Sequence, residues 1–464
     1  MESQGSKVNI KTILSVILGV LCWGLIVTQP ALLWTAPPQE HIAARPGQAY
    51  KNVTPDGAWC WFADPRAVYY EGKSKRTYIG WVNHTGDIQI AGYDHESPHM
   101  EVSTLHPALQ ADDHANPSIL ILPDGRLMVF YSPHSRDPMY YRISKSPENI
   151  SSWEPQKTIP TNTRPEPNQP YLGFTYPHPC RLTAENNRIY LFWRGGNFKP
   201  TFAVSDNAGK SWTKARTLIT SDYHRPYIKY ASDGVSKIHL AFTDGHPRRA
   251  AQNNIYYACY YNNAFHKADG TKIKNMSKLP LKVAETEKVY DGASHQARSW
   301  VWDVAFDDNG YPVIAYASLP EETDHRYRYA RWDGKKWHDH EICPAGKWFP
   351  QTPPGRKEPE PHYSAGLILD HSNPSRVYLS RPGKGAFEIE KWITSDFGAS
   401  WKTISITAGS RYHNIRPFVV RNHAANGPKV LWMNISGKYI NYTDFNTSIK
   451  MDIPAKQHKQ KKKF

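Results

Sequence analysis

Seven times along this chain, β-prone segments recur in antiparallel-looking sets separated by turn residues, and this repeat constrains the fold more than any other feature. The sets are 77–83 with 87–93; 118–122 with 127–132 and 139–144; 188–193 with 201–205; and 227–230 with 237–242 and 255–261. They continue as 302–306 with 312–316 and 327–332; 366–369 with 376–379 and 387–394; and 416–420 with 430–434 and 439–443. Each is rich in β-branched and aromatic residues, often alternating with polar ones, and turn residues lie between the segments. A pitch of roughly 40 to 70 residues is that of propeller blades with loop insertions. The chain is therefore read as an all-β, seven-bladed β-propeller of four-stranded antiparallel blades.

Two of the sets end in an Asp-box-like turn. Ser205-Asp206-Asn207-Ala208-Gly209-Lys210-Ser211-Trp212 has Asn in the usual acidic place, and Thr394-Ser395-Asp396-Phe397-Gly398-Ala399-Ser400-Trp401 is the better match. An Asx side chain binds backbone amides there, Gly takes positive φ and Trp tucks under the blade. Such turns are structural. The 16 Trp and 28 Tyr mostly serve packing in this architecture, while some suit the apolar faces of sugar rings.

The chain ends are of different composition. Lys7 and Lys11 precede an uncharged stretch, 12–39, whose segment 13–27 is almost wholly apolar. This reads as a secretory signal or an uncleaved signal anchor, with no clean cleavage site to choose between them. Residues 1–47 are taken as signal and linker, 48–453 as the propeller and 454–464 as a basic, solvated tail. Lysines on the short side predict export, to the periplasm or beyond the cell, with an inner-membrane anchor if the signal is retained. Five cysteines, Cys22, Cys60, Cys180, Cys259 and Cys343, leave four in the exported part. They make two disulfides or stay as buried thiols; spacing does not select.

A formal charge of +15 draws acidic partners. The export signal and the lack of any nucleic-acid motif argue against nucleic acid, and an anionic polysaccharide fits better. Loops carry the chemistry of a rigid scaffold, and the longest are 146–174, 267–299 and 344–362. A suitable set of groups is present in His114, His134, Tyr176 and Arg194. A planar guanidinium suits a carboxylate, imidazole transfers protons near neutrality, and a phenol protonates a leaving oxygen. These are the parts needed for β-elimination on a uronic acid.

In the order and spacing of those four residues the chain resembles the propeller-fold polysaccharide lyases that cut ulvan, within the wider family of BNR-repeat proteins. The resemblance extends to Trp59-Cys60-Trp61-Phe62-Ala63-Asp64-Pro65-Arg66-Ala67, Thr243-Asp244-Gly245-His246-Pro247, Trp302-Asp303-Val304-Ala305 and the run 363–392, so it covers about 50–450. It implies a lyase cutting a uronate-containing, sulfated polysaccharide to leave a 4,5-unsaturated end. Arg194 would neutralise the uronate, and His114 and Tyr176 would share the base and acid roles in either order. His134 would orient substrate or a proton-transfer partner. His178, two residues from Tyr176, would share its face on an extended segment. Arg66 and Arg416 open the first and last sets and would line the rim or brace the ring closure. His362 and Tyr363 are further groove candidates, as is Arg381. The resemblance also implies a structural zinc, with His246 and Cys259 as ligands and His295, Asp303 or His325 completing the set; nothing implies a catalytic metal. A monomer is expected.

Two rivals stand. One is a rhamnosidase-like glycoside hydrolase acting next to glucuronic acid on the same scaffold. Ordinary glycosidases need two facing carboxylates, and Asp112, Asp113, Glu166 and Glu388 offer no evident pair. The sialidase Phe/Tyr-Arg-Ile-Pro signature is absent. The other rival is a non-catalytic glycan-binding propeller.

Overall fold

The computed structural model describes residues 39–42 and 50–453, apart from 98, 224, 348–354 and 357–359. The expected signal segment therefore lies outside the described residues, except for the backbone of Gln39–Ile42, and so does the basic tail. No helix among the described residues is long and apolar enough to cross a membrane.

Seven antiparallel sheets follow one another along the chain as the blades of a β-propeller. Blade 1 runs Ala67–Glu71, Lys75–Val82, Ile88–Asp94 and Met100–His106. Blade 2 runs Ser118–Ile121, Leu127–Tyr131, Tyr140–Ile143 and Lys157–Thr158. Blade 3 is Thr175–Leu182, Arg188–Arg194, Pro200–Ser205 and Arg216–Thr217. Blade 4 is Ile228–Ser232, Ile238–Thr243 and Ile255–Tyr261, its outer edge shared by Ala264–His266 and Glu287–Tyr290. Blade 5 is Arg298–Phe306, Pro312–Glu321, Asp324–Trp332 and Trp337–Gly346. Blade 6 is Leu367–Leu369, Arg376–Pro382, Phe387–Ile393 and Trp401–Ser405, with Gln39–Ile42 added in parallel. Blade 7 takes Asn414–Val419, Val430–Asn441 and Asp444–Asp452 from one end of the fold and its outermost strand, Tyr50–Thr54, from the other. That shared blade closes the ring.

The first strands of successive blades pack against one another around the axis. Their faces are apolar, so the core is the set of blade-to-blade interfaces, filled by rings such as Trp81, Trp302, Trp392 and Trp432, each at most 2% exposed. Both Asp-box turns form between the third and fourth strands of their blades. In the second, the Thr394 hydroxyl accepts from Gly398 N (2.9 Å) and Asp396 Oδ1 from Ser400 N (2.9 Å), with Gly398 at φ 95°. Cys60, Cys180, Cys259 and Cys343 are separate buried thiols, so no disulfide forms among the described residues.

Three departures from the sequence reading have local causes. The innermost strand of blade 3 was not expected, because Pro177 and Pro179 withhold ladder donors. The innermost strand of blade 1 also escaped the segment pattern. In blade 7, the expected turn before 439 is absorbed: Ile435-Ser436-Gly437-Lys438 forms a register shift inside one long strand, and 439–443 is the tip of its hairpin.

Candidate active site

The N-terminal ends of the innermost strands, and the loops that follow the second strands, meet around a cavity of about 110 Å³. His114 sits in a short 3-10 turn, Asp113–Ala115, just before blade 2's first strand. Asp112 caps that turn, its Oδ1 accepting from His114 N at 2.9 Å. His134 follows the second strand of the same blade. The two rings stack, with centroids 4.0 Å apart and planes 2° from parallel.

One carboxylate holds both rings. Asp112 Oδ1 accepts from His114 Nδ1 and Oδ2 from His134 Nδ1, each at 2.8 Å. Asp113 Oδ1 lies 2.9 Å from His114 Nδ1. Its Oδ2 accepts from Arg416 Nη1 (2.5 Å) and the Tyr439 hydroxyl (2.6 Å), both buried. With Nδ1 of each ring so committed, the Nε2 side is left for the cavity that both rings line. Tyr442 stands edge-on to both, at 4.8 and 5.5 Å.

Tyr176 lies in a strand rather than in a loop. Its φ of 63° forms a bulge: the ladder jumps from Thr175 opposite Arg194 to His178 opposite Phe192. The bulge re-aims the Tyr176 ring to 5.5 Å from His114 and under the Arg194 guanidinium, 4.9 Å away. Arg194 ends the neighbouring strand and is 6% exposed. It donates to the hydroxyls of Tyr227 (3.1 Å), Ser135 (2.9 Å) and Thr175 (3.2 Å). All three are neutral, and among the described residues no carboxylate lies within ion-pair distance of it. Burying an unpaired charge is costly, so an anion placed against this guanidinium would be stabilising.

The electrostatics separate the groups. Burial opposes charging His114, but the Cys60 sulfur and the two carboxylates outweigh it and hold its pKa well above the usual value. Burial and the His114 charge push His134 down to about 4. Burial, reinforced by Tyr227 and only partly opposed by Arg194, raises the Tyr176 phenol well above its usual value. Burial works against the Arg194 cation, and Tyr176 and Tyr227 more than restore it. Burial also raises the Glu360 carboxyl on the opposite wall, against the pull of Arg248. At neutral pH the cavity therefore offers a cationic and a neutral imidazole, a neutral phenol and a fixed guanidinium.

Five expected residues gather here: His114, His134, Tyr176, Arg194 and Tyr363. His246 joins them as a wall residue. His178 does not. The bulge breaks the alternation on which a shared face depends, and His178 packs against Tyr230, 4.9 Å between rings. It lines a larger cavity of about 560 Å³ toward the C-terminal ends of the inner strands. Arg66 is a brace rather than a rim residue, bound to Asp64 at 2.9 Å and stacked 4.4 Å over Phe418. Arg416 is also internal, reaching the cavity only through Asp113 and His114. His362 is buried behind His246, 5.9 Å between rings, and Arg381 is paired with Glu390 in blade 6.

The residues expected to hold zinc do not fit one. Cys259 sits in the middle of blade 4 opposite His239 and His266, while His246 Nδ1 accepts from Arg248 N at 3.1 Å. His325 has both ring nitrogens in hydrogen bonds, His295 binds Asp291 O, and Asp303 binds His371. The clusters of ligand-type atoms among the described residues are Cys60 with Asp113 and His114, and Asp112 with His114 and His134. Neither contains His246 or Cys259.

Tyr227, Arg225, Glu360 and Tyr442 were missed. Tyr227 had a signal, since it follows Pro226 just before an innermost strand, where Asn116-Pro117 also lies. Tyr442 had none, because it is carried in on the hairpin tip of blade 7.

Residues 76–344 match the BNR repeat-containing family. Among solved structures, an ulvan lyase of polysaccharide lyase family PL25 superposes with a TM-score of 0.66 at 14% identity, covering 88% of this chain and 96% of its own. The same type of enzyme bound to -[GlcA(1-4)Rha3S]- gives 0.65 at 15%, covering 88% and 95%. The polysaccharide lyase Uly1 gives 0.54 at 13%, covering 88% and 93%. At these identities the likeness is one of fold. No curated protein sequence matches the chain.

Proposed function

The chain belongs to the BNR repeat-containing family, and from that premise we propose that it is a polysaccharide lyase acting on a uronate-containing, sulfated polysaccharide of the ulvan type. The observation that carries this reading is Arg194, a buried cation with neutral partners, set against a stacked histidine pair and a neutral phenol. Similarity in fold to ulvan lyases supports it.

In the proposed reaction the uronate carboxylate lies against Arg194 and the cationic His114. Their charge stabilises the enolate-like state formed when the C5 proton leaves. His134, neutral and with Nδ1–H fixed on Asp112, accepts that proton at Nε2. The C5 electron pair becomes the C4–C5 double bond, the C4–O4 bond breaks, and Tyr176 gives its phenolic proton to O4. The leaving sugar departs as an alcohol and the uronate is 4,5-unsaturated. This assigns the acid role to Tyr176 and the base role to His134, and gives His114 charge stabilisation in place of the share in acid–base work that the resemblance implies.

The test is ultraviolet absorbance of the unsaturated product, with ulvan and a panel of uronate polysaccharides. Absorbance that rises with the wild type and is lost in both Arg194→Ala and Arg194→Lys supports the reading. New reducing ends without absorbance would transfer the site to a hydrolase. That second reading has one observation in its favour: Glu360, a cavity carboxyl raised toward the protonated form, has the character of a general acid. We place the enzyme outside the cytoplasmic membrane on the strength of the sequence at 1–47.

A further inference from the structure

Beside the cavity that holds Arg194 lies a second, smaller hollow of about 90 Å³. The two share Arg225, His246 and Arg249 as walls, so they adjoin. The far side of the smaller one is Tyr223, 43% exposed, an aromatic face of the kind on which sugar rings stack.

Arg225 is not an ordinary surface arginine. It is half-buried just before blade 4's first strand and its guanidinium lies over Phe198, 4.4 Å from the ring centre. Its Nε is buried with no hydrogen-bond partner. No carboxylate pairs with Arg225 or Arg249 among the described residues. Asp222 lies on the same hollow, but it is exposed and pairs with neither. Glu360, the nearest acid of the main cavity, is already bound to Arg248 at 2.6 Å. Arg225 also faces two like charges: burial, Arg194 and Arg249 work against its protonated form, and the neighbouring Tyr227 hydroxyl only partly offsets them. The same crowding acts on His246, where burial, His362 and the charges of Arg248, Arg225 and Arg194 all disfavour the imidazolium. Among the described residues Glu360, which feels both Arg248 and Arg225, is the one acid lining the main cavity with these cations; the excess of like charge raises the energy of the free protein, and a bound anion relieves it.

Arg194 has a role already, since with His114 it meets the uronate carboxylate at the reacting sugar. The excess at Arg225 and Arg249 lies at the next position along the groove. We propose that Arg225 and Arg249, floored by Tyr223, form a second anion subsite that reads a sulfate ester on the sugar adjoining the uronate. A sulfate ester stays anionic at every working pH, presents several acceptor oxygens to two separate guanidinium groups, and suits weakly hydrated arginine. The inference rests on the polysaccharide reading above and adds to it the residues that select sulfation.

The test is binding by calorimetry in a Tyr176→Phe background, so that ligand is not cut. Three probes are compared: ulvan oligosaccharides, the same after desulfation, and the same after reduction of the carboxyl groups. With Arg225 and Arg249 intact, desulfation is expected to weaken binding about tenfold or more, the scale of a charge-assisted hydrogen bond. In Arg225→Gln and Arg249→Gln that preference for sulfate shrinks toward unity, and Arg225→Lys recovers part of it. Equal binding of sulfated and desulfated probes by the intact subsite, or a preference untouched by both Gln variants, overturns the proposal. The carboxyl-reduced probe tests the uronate separately. If it binds as well as the native probe while desulfation weakens binding, the uronate reading fails and the sulfate subsite stands. If reduction weakens binding and desulfation does not, the subsite fails and the uronate reading stands.

Discussion

Asp112 decides how many protons the two imidazoles share, because its oxygens hold Nδ1 of both rings at 2.8 Å. With His134 at about 4, the proposed base is neutral through the ordinary working range. The kcat/KM for the unsaturated product should accordingly be flat near neutrality and fall as pH drops through about 4. Part of that depression comes from the His114 charge, so His114→Gln should move the acidic limb of the residual activity upward; a limb that stays put removes His134 from the base role. Asp112→Asn replaces one acceptor with a donor facing a ring N–H, and a loss of about 10²–10⁴-fold is expected by analogy with other carboxylate–histidine pairs. Stability carries the same sign. A histidine near 6.5 when unfolded and about 4 when folded leaves the unfolded state binding more protons between those values, so its contribution is lost as pH falls through them. The urea midpoint should drop between pH 7 and pH 5 more in the wild type than in His134→Gln. At this scale the resemblance to the ulvan lyases picked out His114, His134, Tyr176 and Arg194, which line one cavity. Their division of labour was not legible, because it depends on Asp112 and Asp113, which sequence reading weighed only as a carboxylate pair.

Blade 3 shows why a single strand end matters to the site. Its first strand carries Tyr176 in a bulge and its second ends in Arg194, after which Gly195 and Gly196 turn the chain away. A Cβ on Gly195 would come within 2.2 Å of Thr163 Oγ1 and 2.3 Å of Thr201 Oγ1. Neither hydroxyl is free to retreat, since Thr163 donates to Asn197 and Thr201 to Lys199 O. Gly195→Ala should therefore destabilise the fold by about 1–3 kcal/mol, read by thermal unfolding, and displace the guanidinium beside it. Activity should fall further than Tm alone explains, and a Gly195→Ala enzyme with wild-type kcat/KM would show that the turn does not position Arg194. Periodicity could not have found this arrangement. Pro177 and Pro179 disguise the strand as a loop, and the positive φ of Tyr176 separates it from His178, which an unbroken strand would have placed on the same face.

Ring closure ties the two ends of the propeller to the site. Tyr50–Thr54 pairs with Asp444–Asp452, from Tyr50 opposite Asp452 to Thr54 opposite Ile449. The next segment continues inward: Gly57 N donates to Thr447 O at 2.7 Å, and Cys60 N to Asp113 O at 2.9 Å. Arg416 on blade 7's first strand then binds both Trp59 O (2.9 Å) and Asp113. Blade 7 therefore holds the carboxylate that lies against His114, from the far end of the sequence. The seven sets of segments revealed the blade count because each blade is local. They missed the closing strand at 50–54, whose partner lies almost 400 residues away and leaves no local pattern. A chain starting at residue 48 should unfold in one cooperative transition and be active. One starting at residue 56 loses an entire ladder and the burial of Val53. It should be destabilised by at least about 3 kcal/mol, in proportion to the ladder bonds and apolar area lost. Because Asp113 is anchored from blade 7, it should also lose activity at temperatures where its circular dichroism still reports folded sheet. Retention of full activity by the shorter chain would mean that Asp113 and His114 are held by blade 2 alone, and that closure serves stability without reaching the site.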